Sequence, residues 1–314
     1  MRTVNLVREA VVIGIPTFRR PDQLRALLQS LLPELLLQPA LVIVGDNECG
    51  TSAPAIVDAF RVQWPWTVCI AVPERGVAQV RNALVREAGD RQPGWQWLVM
   101  LDDDGLATSD WLGRLLDTGA RYGAHLVGGP VQGVLPADAS QLARNSVFAA
   151  RRRWTTGKVP TLNTTQNLAI ARGALDLVGL PLFRAELGAS GGEDYDLFRR
   201  VASRGGTLAW CDEAIVEEPA PASRLTVRSL LYRYASTGAY MARIDCTYDG
   251  AAAVWRRSVK GLVGAAWHAM RGALLRDRDL MARSVLLVAH QAGRVGGLLG
   301  ARTSRYVQPA NQKA

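Results

Sequence analysis

Apolar residues follow two rhythms along this chain. Residues 10–15 form an unbroken apolar run that stops at Pro16 and Thr17, the pattern of a strand buried on both faces. Pro21 and Asp22 then open a helix, with Leu24, Leu27, Leu28 and Leu31 at helical spacing. The pair of signals repeats. Residues 41–44 predict a second strand ending in Gly45-Asp46-Asn47, a short helix follows near 55–60, and 68–72 predict a third strand. An amphipathic helix is expected over 77–88. A fourth buried strand over 97–101 runs into Asp102-Asp103-Asp104-Gly105, and Ser109-Asp110 open a helix reaching about Tyr122. This alternation predicts an α/β fold, a Rossmann-like and mostly parallel sheet flanked by helices.

Regularity weakens after 126–130. The stretch 132–165, with Arg151-Arg152-Arg153-Trp154 inside it, reads as a mobile excursion. Residues 167–170, 207–211 and 214–216 are strand candidates, and 194–203 is a helix behind Gly191-Gly192. Pro219 and Pro221 mark a boundary, beyond which the chain reads as helices rich in Ala, Leu and Arg. The expected organisation is one large α/β domain over residues 1–222 and a basic helical extension over 223–314.

Composition narrows this picture. With 48% hydrophobic residues the chain carries enough apolar surface for a sizeable core. Arg2 is followed by polar and charged residues instead of an apolar leader, and no apolar run reaches spanning length, so a cytoplasmic protein is expected. Cys49, Cys69, Cys211 and Cys246 are scattered, which argues against a disulfide framework or zinc site. His125, His268 and His290 lack metal-ligand spacing and read as structural or surface residues. The net charge of +9 is concentrated late, in Arg256, Arg257, Lys260, Arg271, Arg276, Arg278, Arg283 and Arg294. A basic surface attracts nucleic acid, anionic lipid or a phosphorylated substrate, and charge does not choose among them. Trp255, Trp267, Leu262, Val263, Leu274 and Leu275 among these cations suit helices lying on an anionic membrane surface. A helical cap on the main domain, or an oligomer contact, fits the same pattern.

Candidate chemistry gathers at strand ends. Ligands of open α/β sheets collect beyond the carboxyl ends of the strands, and here those ends deliver Thr17, Asp46, Asn47, Glu74, Arg75 and the three aspartates. Residues two apart on a strand point the same way, so Asp102 and Asp104 are expected to converge. Hard divalent cations take such oxygen ligands, with substrate phosphates completing the shell. The plain alternative is an acidic turn. Gly191-Gly192-Glu193-Asp194 is the second feature: glycines allow tight backbone, and a carboxylate kept ionised at a helix N-terminus can take a proton from an alcohol. An ordinary helix cap is the alternative there. Arg81, near a strand end, is placed to contact a nucleotide or to face solvent.

In order, the segments 15–20 (Ile-Pro-Thr-Phe-Arg-Arg), 44–47 (Val-Gly-Asp-Asn), 76–82 (Gly-Val-Ala-Gln-Val-Arg-Asn), 101–104 (Leu-Asp-Asp-Asp) and 192–197 (Gly-Glu-Asp-Tyr-Asp-Leu) resemble glycosyltransferase family 2, inverting enzymes of GT-A fold. The resemblance runs from about Val11 to Arg243. It implies that Thr17, Arg19, Asp46 and Arg81 hold the nucleoside of a nucleotide-sugar, a UDP-sugar, with Asp46 pairing with the base. Asp102 would approach ribose or metal, Asp103 and Glu193 would line the donor site, and Asp104 would ligate Mg²⁺ or Mn²⁺. Asp194 would deprotonate the acceptor hydroxyl, and Asn167 would lie near donor sugar or acceptor. Many GT-A enzymes supply a histidine near the position of Val216; here Glu217 and Glu218 follow, and Glu218 is the favoured ligand. The run 215–224 resembles a bacterial exopolysaccharide subgroup related to succinoglycan synthesis. The Q-x-x-R-W signature of processive synthases is absent, so one sugar per encounter is expected. The implied acceptor is a saccharide or lipid-linked saccharide, with no nucleic-acid partner, and donor choice is expected to turn on the loop 187–192. A nucleotidyltransferase and a non-catalytic binding protein are the competing readings; the first would carry a Gly-rich phosphate loop where Pro16-Thr17-Phe18 stands.

Overall fold

The structure is a computed structural model describing residues 11–149, 151–188 and 191–301. Ala10, the N-terminal segment, and positions 189 and 190 of the 187–192 loop lie outside the described residues. The strands are β1 (Val11–Thr17), β2 (Leu41–Asp46), β3 (Thr67–Ala71), β4 (Trp97–Leu101), β5 (Leu106–Ala107), β6 (Leu126–Gly128), β7 (Val131–Val134), β8 (Gly157–Val159), β9 (Asn167–Ala171), β10 (Leu208–Trp210) and β11 (Val216–Pro219). The helices are α1 (Pro21–Leu37), α2 (Ser52–Arg61), α3 (Val77–Arg91), α4 (Trp111–Tyr122), α5 (Gln141–Arg144), α6 (Gly173–Val178), α7 (Glu193–Ser203), α8 (Val227–Asp249), α9 (Ala251–Leu275) and α10 (Arg278–Leu298). Two compact units contain them. Of the described residues, the first gathers 11–132, 151–185 and 194–219; the second gathers 133–149, 186–188, 191–193 and 220–301.

In the first unit eight strands form one sheet in the order β3-β2-β1-β4-β9-β6-β10-β8, and β5-β11-β7 form a smaller one. β1 pairs in parallel with β2 and β4, and β2 with β3. β9 interrupts the parallel block by running antiparallel to β4 and β6. The strand period of two splits β1 between two cores. Val11, Ile13 and Ile15 join the leucines of α1 with Val57 and Phe60 of α2. Val12 faces the other way, with Leu84 and Val85 of α3 and Phe198 of α7. Both faces are covered, hence the uninterrupted apolar strands. Helix α3 lies close on the sheet because Gly45 has no side chain: a Cβ there would stand 2.7 Å from Val80 Cγ1.

Three details depart from the sequence expectation. The stretch 132–165 is partly regular, since β8 docks antiparallel on β10 and α5 forms at Ser140. The strand expected over 214–216 begins at Val216, because its partner is the short β5 just beyond the aspartates. Helix α4 is not capped by Asp110, whose φ is +60° and whose side chain makes no cap bond. The buried carboxylate of Glu34 does this instead, accepting from the amides of Asp110 (2.8 Å) and Leu112 (3.0 Å), which satisfies donors that a helix start leaves open.

The second unit is built on α8, α9 and α10. Glycines bring α8 and α10 backbone to backbone: a Cβ on Gly238, Gly293 or Gly297 would collide with the carbonyl oxygens of His290, Ala235 and Ala239 respectively. Arg294 of α10 donates to Asp245 of α8 (3.0 Å) and to Ser258 of α9 (3.2 Å), all three buried. Gly293→Val is therefore expected to cost at least 1–3 kcal/mol (roughly, as for other overpacked cores) and to lower the melting temperature in differential scanning calorimetry. Gly264→Ala on α9, where a Cβ meets nothing within 4 Å, is expected to leave it unchanged or slightly raised.

Candidate active site

The site forms where β1 and β4, neighbours in register, end side by side. β4 stops at Leu101, and Asp102–Gly105 make a turn closed by the Gly105 amide donating to Asp102 O (3.1 Å). The aspartates are thus off the strand, and the two-residue alternation expected for Asp102 and Asp104 does not govern them. Asp103 and Asp104 share one arginine, and Asp102 reaches another. Thr17, at the end of β1, donates to Asp103 Oδ2 (2.8 Å). Arg20 reaches Asp103 Oδ1 (2.8 Å) and Asp104 Oδ2 (2.7 Å) through one nitrogen. Arg81, on the second turn of α3, donates to Asp102 Oδ1 (3.1 Å), with its guanidinium 5.7 Å from the Phe183 ring centre. Arg81 is only 4% exposed, so it faces inward and not solvent.

A fourth carboxylate belongs to this field. Along β11, alternation leaves Glu217 half-buried and turns Glu218 inward at 3% exposure. Glu218 accepts from Arg151 (2.7 Å) and from the Gln166 amide (3.4 Å). Burial, then the charges of Asp102 and Glu218, push the Asp104 carboxyl up to about 6 against the pull of Arg20. Burial also raises Asp103, opposed by Arg20 and the Thr17 hydroxyl. For Arg20, burial draws the pKa down, and Asp103 and Asp104 outweigh that and raise it. Asp102, Asp103, Asp104 and Glu218 thus face Arg20, Arg81 and Arg151. Among the described residues no three acidic, histidine or cysteine side chains are gathered into a ready metal cage. The donor set nevertheless fits a hard cation held by two carboxylates, Asp104 and Glu218, with the rest of its shell supplied from elsewhere.

The remaining sequence candidates fall into three groups. Asp46 is buried and accepts from the amides of Glu48 (2.8 Å) and Gly50 (3.0 Å), and the exposed Arg19 pairs with Glu48 (3.0 Å). Asn167 is fully buried and belongs to the scaffold. Both its N–H groups are used, on Pro130 O and Ala214 O, and its oxygen accepts from Trp111 Nε1. Glu193 and Asp194 open α7 behind Gly191 and Gly192, whose φ values of +80° and +99° only glycine adopts without strain. Glu193 is buried, and Asp194 Oδ1 accepts from the Tyr195 amide (2.7 Å).

Arg20, Arg151 and Gln166 were not singled out by the sequence. Arg20 sits next to Arg19, and nothing in the pattern says which turns inward. Arg19 takes φ +56°, which swings the chain so that Arg19 is exposed and Arg20 meets the aspartates. Asn47 braces the neighbouring loop, donating to Val72 O and Glu74 O and accepting from the Gly76 amide. Arg151 lies in the excursion and Gln166 just after it, where no spacing signal points to Glu218.

Removing Arg20 leaves two buried carboxylates without their shared cation. Arg20→Ala is expected to lower stability by roughly 1–3 kcal/mol at pH 8. The deficit should shrink as pH falls through about 6, where Asp104 takes up a proton. Thermal unfolding of both proteins across pH 5–8 (about the range in which that carboxyl titrates) checks this, and a pH-independent deficit would contradict it.

Residues 12–171 match the family model described as Glycosyl transferase family 2. The chain is 33% identical over 300 residues to the succinoglycan biosynthesis protein ExoM of Rhizobium meliloti (strain 1021), covering 92% of each. Among solved structures it resembles the mannosyltransferase PcManGT from Pyrobaculum calidifontis, determined with GDP-Man and Mn²⁺. The TM-score is 0.60 at 17% identity, covering 92% of this chain and 86% of that one. It also resembles residues 1–349 of S. aureus TarS, determined with UDP-GlcNAc, at a TM-score of 0.51 and 12% identity, covering 91% of each. These structures share the GT-A fold with this chain.

Proposed function

The chain belongs to glycosyltransferase family 2, and from that premise we propose that it moves one sugar, with inversion, from a UDP-sugar to a hydroxyl of a saccharide or lipid-linked saccharide in surface polysaccharide synthesis. Family membership removes the nucleotidyltransferase reading. The observation that carries the proposal is the buried turn of aspartates at the carboxyl ends of β1 and β4, faced by Arg20 and Arg81. It combines oxygen ligands for a cation with guanidinium donors suited to phosphate. PcManGT with GDP-Man and TarS with UDP-GlcNAc support a nucleotide-sugar donor. The name of the ExoM relative supports an exopolysaccharide product.

In this reading the nucleoside lies over the ends of β1 and β2. Each Asp46 oxygen accepts one backbone N–H and keeps a second lone pair for a base N–H. Thr17 and Arg19 flank the nucleoside, and Arg20 and Arg81 orient the diphosphate while Asp102 approaches ribose or cation. Asp103, held by Thr17 and Arg20, keeps the turn in place. Asp104 and Glu218 would hold Mg²⁺ or Mn²⁺, which when bound stabilises the leaving diphosphate as a Lewis acid. Asp194 takes the proton of the acceptor hydroxyl. The freed oxygen forms its bond to the anomeric carbon from the face opposite the diphosphate, and the electron pair of the breaking C–O bond leaves with the diphosphate.

Incubating the full-length protein with UDP- and GDP-sugars, Mn²⁺ or Mg²⁺, and saccharide acceptors, with nucleoside diphosphate release as the readout, tests the function. Asp194→Asn is expected to keep nucleotide affinity while losing transfer by about 10²–10⁴-fold. Transfer at the wild-type rate would remove Asp194 from the role of base. Asp104→Asn is expected to weaken the metal dependence of nucleotide binding in calorimetric titration, and an unchanged titration would remove it from the cation site.

A further inference from the structure

Helix α9 divides its surface three ways. Val254, Ser258, Ala265 and Gly272 are buried, on the side that packs against α10 and α8. Trp255, Val259, Val263, Trp267, Met270 and Leu274 recur at steps of three or four residues and are exposed, from 39% for Trp255 to 82% for Leu274. At such steps the side chains form one stripe, about 30 Å long for 20 residues of helix. Arg256, Lys260 and Arg271, all exposed, run along one edge of the stripe. The helix carries no Asp or Glu.

We propose that this face of α9 lies on an anionic lipid surface, with the stripe in the acyl boundary and the cations at headgroup phosphates. Charge complementarity selects this occupant. A second copy docking through the same face would set these cations against their own kind. Residues 302–314 carry Arg302, Arg305 and Lys313 and no acid, so they do not complement it either. Two exposed tryptophans and a one-sided basic edge are what a helix parallel to a membrane requires. No described helix is long and apolar enough to cross one. The inference stands on α9 alone and is independent of the donor-site reading.

Sedimentation of the full-length protein with vesicles, without nucleotide, tests it. On phosphatidylcholine vesicles containing roughly a quarter phosphatidylglycerol, at low salt, binding is expected at least about tenfold above phosphatidylcholine alone. It should fall steeply by about 0.5 M salt. Both the Val263→Ser/Trp267→Ser variant and the Arg256→Gln/Lys260→Gln/Arg271→Gln variant should lose that binding at unchanged helical circular dichroism, since the altered side chains are exposed. Failure to sediment with the anionic vesicles, equal binding to both vesicle types, or wild-type binding by either variant would overturn the proposal. So would a dimer in size-exclusion chromatography that Trp267→Ser dissolves while the vesicles capture nothing.

Discussion

Three neighbouring carboxylates cannot leave water together unless cations face them, and the main unit of this protein is arranged around that requirement. Asp103 is 4% exposed and Glu218 3%, so both depend on nearby positive charge and hydrogen bonds. Arg20, Arg81 and Arg151 come from a loop, a helix and the excursion; Arg20 meets Asp103 and Asp104, Arg81 meets Asp102, and Arg151 meets Glu218. Asp104 keeps a raised pKa, chiefly through its own burial and then through the neighbouring Asp102 and Glu218.

The scaffold exists to bring those groups to one edge. Parallel pairing of β1 with both β2 and β4 makes three strands end together. Gly45 lets α3 settle against the sheet, which carries Arg81 to Asp102. Asn82, beside it, exchanges two hydrogen bonds with the backbone of Phe183, so the ring near the Arg81 guanidinium is held from the same turn of helix. Asn167 and Glu34 are polar groups put to structural use: one ties Trp111 to β9, the other caps α4. Buried polar side chains near a site are therefore not all ligands, and their hydrogen-bond partners tell them apart.

The second unit follows different physics. Its helices meet through glycine at the α8–α10 crossing and through one buried ion pair, Arg294 with Asp245. Leu230 of α8 and Leu286 of α10 add a small apolar cluster, while several large apolar residues of α9 are exposed.

Much was legible from the chain alone. Continuous apolar runs marked β1, β2 and β4, and helical spacing marked α1 and α3, because burial on both sheet faces imposes those periods locally. The order of motifs from residue 15 to residue 197 was enough to indicate the family and the GT-A fold. What spacing did not determine was direction: which of Arg19 and Arg20 turns inward, and whether Asn167 serves a ligand or the scaffold. It also left open whether the aspartates continue a strand or leave it. Those outcomes rest on a left-handed residue at 19, a turn at 102–105, and partners 56 and 86 positions away in sequence, Trp111 for Asn167 and Thr17 for Asp103. Local pattern records which residues must be buried; only the assembled tertiary structure decides what each buried charge is buried against.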